Sequence, residues 1–186
     1  MLIDRKDGDI NALNPNGDKL IKRSIILFPD FENEFMLDAV RKCYDPQASK
    51  IAPHITLVFP FESYLTGLEL KAHIDEAKEG LEPFYITAEG VERNGEYLYI
   101  PLTEGSEEII KLHNHLYKGI LERFLNDDII YTPHVTIGRF NTMEELDAVF
   151  EKVSRMNFYF ESEIDRIIIE QIGIKEISNI EFELDL

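Results

Sequence analysis

The sequence predicts an α+β fold of two similar lobes facing each other, and three observations carry that expectation. Strand and helix signals alternate from about residue 20 to the C-terminus. The order strand, helix, histidine-bearing strand, helix, strand occurs twice. A five-residue pattern also recurs at matching places in the two copies, Pro-His-Ile-Thr-Leu at 53–57 and Pro-His-Val-Thr-Ile at 133–137, with the histidines 80 positions apart.

The elements follow in chain order. Residues 1–19 are polar, with Asn-Pro-Asn-Gly at 14–17 as a turn, and are read as an N-terminal arm. Residues 22–28 form an apolar strand closed by Pro29, and 31–44 carry helical periodicity stopped by Asp45-Pro46. His54 to Phe59 is β-rich, 67–81 reads as a helix and 84–91 as a strand. A turn at 90–95 leads into the second copy: strand 97–102, helix 106–125 behind an N-capping Ser106, and strand 132–140. Thr142 with Glu145 three residues on has the form of a capping box opening a helix to about Arg155. Residues 157–171 and 177–184 read as closing strands. The whole chain, 1–186, is taken as one domain with lobe repeats at about 20–92 and 95–186.

Bulk properties narrow the function. The net charge is −17, with 36 acidic against 19 basic residues. A protein gripping a long duplex relies on a basic face that releases counterions, so long nucleic acid is not expected as a partner. A phosphate ligand would be held locally, and be small or a chain end. No apolar run approaches the roughly 20 residues that span a bilayer, and the first residues are too polar for a signal peptide. The single Cys43 cannot pair internally. A cytoplasmic monomer without membrane attachment is the expectation.

On a strand, residues i and i+2 share a face. His54 and Thr56 therefore point one way and His134 and Thr136 do the same, while Ile55, Leu57, Val135 and Ile137 turn to the opposite, packed face. Two such strands brought together would set two imidazoles and two hydroxyls around one cleft. Imidazole titrates near 6.5, so a neutral ring and a protonated ring can coexist. One accepts a proton from a nucleophile and the other donates to a leaving oxygen, each transfer typically worth ~10²–10⁴ in rate. The threonine hydroxyls suit non-bridging phosphate oxygens. This chemistry calls for neither metal nor cofactor.

The segments His-Ile-Thr-Leu at 54–57 and His-Val-Thr-Ile at 134–137 resemble the two His-x-Thr-x motifs of the two-histidine phosphoesterase superfamily, in its 2′-5′ RNA ligase-like branch. The order of elements agrees from about residue 20 onward. The resemblance implies a bilobal fold of mainly antiparallel sheets flanked by helices around a central cleft. It implies a metal-independent hydrolase acting on 2′,3′-cyclic phosphates or 2′-5′-linked nucleotides and RNA ends, with His54 as proton donor and His134 as acceptor. It also aligns Arg139 with a phosphate-binding arginine, although strict alternation would turn Arg139 away from His134.

Other signals are set aside. His113 and His115 lie two apart on a helix and do not share a face, His73 has no partner at ligand spacing, and no metal site is expected. Cys43 reads as structural, and the clusters Glu107-Glu108, Glu144-Glu145 and 181–185 as solvated faces. Two other functions fit the same residues less well: a non-catalytic module binding a cyclic or terminal phosphate, and a protein-interaction domain using the acidic shell.

Overall fold

The computed structural model describes residues 19–186, so the arm at 1–19, save Lys19, lies outside the described residues. The chain runs β1 (Ile21–Leu27), α1 (Glu34–Tyr44), β2 (Ile55–Ser63), α2 (Gly67–Ala77), β3 (Phe84–Glu89), β4 (Glu92–Asn94), β5 (Tyr97–Glu104), α3 (Ser106–Leu116), β6 (His134–Arg139), α4 (Met143–Val153), β7 (Tyr159–Ile164), β8 (Arg166–Ile172) and β9 (Ser178–Asp185). Among the described residues no helix is long and apolar enough to cross a membrane.

Local chemistry explains most boundaries. Leu37 and Val40 bury one face of α1, and the helix stops where Asp45 goes extended ahead of Pro46. Thr66 and Glu69 form a reciprocal capping box on α2, whereas Thr142 caps α4 through the Glu145 amide alone. The helix expected over 106–125 ends at Leu116, because Gly119 at φ +57° turns the chain into a 3₁₀ segment at Gly119–Phe124. Its N-cap is Gly105 and not Ser106, whose hydroxyl donates to the Leu102 carbonyl. The turn expected over 90–95 contains the short strand β4, and the closing strand expected over 157–171 is two strands separated at Asp165.

The strands form two antiparallel sheets. The first has the order β2-β1-β8-β9. In the second, β5 pairs with β6 on one edge and with β3 and β4 on the other, and β7 lies beyond β3. The motif strands β2 and β6 are thus edge strands beside the first strand of their own copy. The sheets do not divide at 92–95 as the repeat suggests. Strand β3 crosses into the second sheet, while β8 and β9 return to the first and occupy the places that β3 and β7 hold in the second. The helices cross too: α1 packs against β6 and α3 against β2. One continuous core, including Ile25, Leu27, Ile55 and Leu57 with Leu98, Ile100, Val135 and Ile137, joins the sheets and helices.

One of the acidic residues read as solvated is structural. Glu181 of β9 is half-buried and accepts two hydrogen bonds from the guanidinium of the fully buried Arg23, at 2.6 and 2.9 Å.

Candidate functional site

Each motif strand is shaped in the same way. In the pairing of β1 with β2, Ile26 faces Thr56 and Ile25 faces Val58, so Leu57 is an extra residue. In the pairing of β5 with β6, Tyr99 faces Thr136 and Leu98 faces Gly138, so Ile137 is extra. A β-bulge therefore follows the threonine of both motifs, at the same place. Before the bulge the expected parity holds: Ile55, Leu57, Val135 and Ile137 are buried, and His54, Thr56, His134 and Thr136 are half-buried on the other face. After it the parity shifts by one, and Val58 and Gly138 are also buried.

That shift decides where Arg139 points. Strict alternation would turn it from His134, but the bulge at Ile137 returns it to the motif face, where it pairs with Tyr97. Residues Tyr97, Tyr99 and Pro101 of β5 alternate with the buried Leu98, Ile100 and Leu102, and sit opposite Arg139, Thr136 and His134 in turn. Arg139 stands four β5 positions from the His134 pair, about 14 Å along the strand. Its guanidinium is bonded to Glu96 at 2.7 and 2.9 Å and lies 5.5 Å from the centre of the Tyr97 ring.

The two histidines are fixed identically. His54 Nδ1 lies 2.9 Å from the Ala52 carbonyl and His134 Nδ1 lies 2.6 Å from the Thr132 carbonyl, each two residues back. A carbonyl oxygen only accepts, so Nδ1 carries the proton in both rings and Nε2 is left with its lone pair free. Burial pushes both imidazoles below the ordinary histidine value, and the carbonyls oppose this without cancelling it. Phe28 meets the His54 ring edge-on at 6.4 Å, and Tyr99 lies against the His134 ring at 4.7 Å. Among the described residues neither Thr56 nor Thr136 spends its hydroxyl on a protein partner. Nor does any group of three His, Cys, Asp or Glu side chains converge as metal ligands.

The segment before His54 is held by Arg41, which is buried and bonds Asp45 at 2.9 Å and the Ile51 carbonyl at 3.0 Å. The segment before His134 is held by the other motif. Tyr131 donates its hydroxyl to the Thr56 carbonyl at 2.8 Å. The open edge of β2 is further satisfied by His113 Nδ1, which donates to the Leu57 carbonyl at 2.7 Å, and by the Tyr117 hydroxyl, which accepts from the Phe59 amide at 3.0 Å. The His113 and Tyr131 rings stack at 3.6 Å and 6°. These side chains clasp the edge that carries His54 to the segment that leads into His134, and β2 lies against β6.

His113 thus works as a clasp, and no pairing with His115 is involved. His73 and His115 likewise meet backbone carbonyls, of Leu116 and Ala77, joining α2 to α3. Cys43 is exposed. A cavity of about 370 Å³ is lined by residues of β7 with Asp30, Glu32, Asn33 and Tyr85, and no motif residue lines it.

Two antiparallel sheets, each presenting a bulged His-x-Thr edge strand, define a two-lobed α+β protein with a duplicated histidine motif. Residues 28–172 match the model of the 2′-5′ RNA ligase superfamily, and the chain belongs to that family. Proteins of Geobacillus sp. (strain WCH70) and Bacillus licheniformis, both named "Putative phosphoesterase", are 29% and 28% identical over 152 residues. Each alignment spans 78% of this chain, with 85% and 87% of the relatives. The fold is that of Escherichia coli LigT. Its crystal structure with 3′-AMP superposes with a TM-score of 0.64 at 14% identity, over 90% of this chain and 99% of that one.

Proposed function

We propose that this protein is a metal-independent phosphoesterase that opens 2′,3′-cyclic phosphates, or cleaves 2′-5′ linkages, of nucleotides or RNA ends by paired-histidine acid–base catalysis. The observation that carries the reading is the matched fixing of the two rings, each with Nδ1–H on the carbonyl two residues back and Nε2 free. In hydrolysis the neutral His134 Nε2 takes a proton from water as the water oxygen attacks phosphorus. The bond from phosphorus to the leaving ribose oxygen breaks, and protonated His54 gives its proton to that oxygen. Thr56 and Thr136 donate to the non-bridging oxygens, where transition-state charge gathers.

The test is turnover of a panel of 2′,3′-cyclic and 2′-5′-linked nucleotides by wild type, His54→Ala and His134→Ala. Each single change lowers kcat by ~10²–10⁴. The double variant loses little more than either alone, since the two rings act as a unit. Wild-type activity in either single variant would overturn the assignment. Tight binding of a cyclic nucleotide with no product from wild type would favour a phosphate-binding module instead.

A further inference from the structure

The two lobes share the bulge that follows the motif threonine but carry different side chains beside it. On the second sheet, the β5 positions beside Thr136 and Arg139 carry Tyr99 and Tyr97. The β1 residue beside Thr56 is Ile26, and two residues back along the same strand, where Tyr97 stands relative to Tyr99, is Ser24; both are fully buried. Ser24 is also spent, donating to the buried Glu170. The first lobe therefore closes this face with aliphatic and internally bonded groups, whereas the second leaves it aromatic and open, with Tyr97 40% exposed.

The open face is ordered as a row. The Tyr99 ring lies 4.7 Å from the His134 ring, Tyr97 follows two residues along the same face, and the Arg139 guanidinium lies 5.5 Å from the Tyr97 ring centre. Acidic side chains hold the row: Glu92 accepts from the Tyr99 hydroxyl at 3.2 Å, and Glu96 binds Arg139. Glu92 and Asn94 pair with Tyr99 and Tyr97 across β4, so they border the rings on the same face with polar groups. Flat aromatic surface beside a cationic plane, edged by hydrogen-bonding groups, matches what a nucleobase presents: a π-face and a polar rim. A bare sugar phosphate has no group that would use it.

Resting on the reading of His54 and His134 as the phosphate-handling pair, we propose that Tyr97 and Tyr99, with Arg139 at the far end of the row, form a nucleobase-stacking site in the second lobe. The substrate then lies along the sheet, with its phosphate at His134 and Thr136 and its base over the tyrosines. This makes the protein selective for nucleosidic phosphates over abasic ones, through stacking that tolerates base identity.

The experiment compares wild type, Tyr97→Ala and Tyr97→Phe on two pairs of probes. In turnover, 2′,3′-cyclic AMP is set against ribose 2′,3′-cyclic phosphate; in calorimetry, 3′-AMP is set against ribose 3-phosphate. Tyr97→Ala should raise KM for the cyclic nucleotide and Kd for 3′-AMP by about tenfold, the loss of one base stack. It should leave kcat and both abasic probes unchanged, and Tyr97→Phe should restore nucleotide binding. Equal effects on nucleosidic and abasic probes would overturn the site, as would unchanged nucleotide affinity in Tyr97→Ala. Failure of the catalytic reading gives a different pattern: no turnover of either cyclic phosphate by wild type, while calorimetry still decides the base site.

Discussion

The Tyr131 hydroxyl and the Thr56 carbonyl are 2.8 Å apart, so a residue three places before one motif histidine is bonded to the backbone of the other motif. Both partners belong to segments that set a histidine, and Tyr131 is also braced by the stacked His113 ring. Tyr131→Phe keeps the stack and deletes only this bond. It should cost about 1 kcal/mol, seen as a lower urea midpoint at unchanged m-value. Because the bond registers one motif against the other, kcat should fall on the order of tenfold with KM nearly constant. Loss of stability with undiminished kcat would mean that the clasp serves folding alone. His113→Phe should not add fully to Tyr131→Phe, since the two rings share one contact.

How much of this could be read in the sequence depends on the range of each interaction. The parity of His54 with Thr56 and of His134 with Thr136 follows from strand geometry alone, and the buried Ile55, Leu57, Val135 and Ile137 agree with it. The bulges could not be read. Leu57 and Ile137 look like ordinary inward residues, and their extra place is visible only against Ile26 and Tyr99 on the neighbouring strands. Strict alternation without that extra residue is what turns Arg139 away from His134. Nor does anything at Ile164-Asp165-Arg166 mark a change of sheet, because residues on both sides favour strand. The role of Tyr131 is not legible for the same reason: its partner is 75 residues away and is a backbone carbonyl, which carries no residue-type signature.

Stability should fall on mild acidification. Burial lowers the values of His54, His113 and His134 from the usual 6.5. Near that pH the unfolded chain then binds more protons than the folded one, so stability rises with pH. The contribution is complete above about 6.5 and is lost as pH drops through the lowered folded values. Glu34, whose carboxyl burial and neighbouring acids push up from 4.5, acts in the opposite sense from the acid end. Tm should therefore decrease between about pH 7.5 and 5.5, and the dependence should be shallower in the His54→Asn, His134→Asn double variant. A Tm that is flat or rises on acidification would show that these rings are not desolvated.

The ion pair of Arg23 with Glu181 should be costly to break and cheap to remove. Arg23 is buried on β1, bonds both Glu181 oxygens, and donates to the Leu65 carbonyl at 2.9 Å. Glu181→Ala leaves a buried guanidinium without its counter-charge, which should cost about 3–5 kcal/mol. Replacing both residues, as Arg23→Met with Glu181→Leu, removes the desolvation cost along with the attraction. It should be markedly less destabilising than Glu181→Ala, by chemical denaturation. If the double variant is the worse of the two, the pair is net stabilising here and the desolvation argument does not hold.

Gly105 and Gly80 separate two costs that a glycine substitution can carry. Both have left-handed backbone, at φ +73° and +76°. A Cβ on Gly80 meets nothing within 4 Å, whereas on Gly105 it would lie 2.6 Å from the Tyr85 carbonyl oxygen. Gly80→Ala should therefore show only the left-handed penalty, about 1 kcal/mol. Gly105→Ala adds a backbone clash at the point where β5 hands over to α3, and the carbonyl it strikes belongs to β3, pinned between β5 and β7. With little room to relax, its total should reach about 3 kcal/mol or more, in the range of overpacked core substitutions. Denaturant midpoints of the two variants measure the difference directly. Equal losses would mean that β3 yields at Tyr85, and that the close approach between these strands is not a constraint.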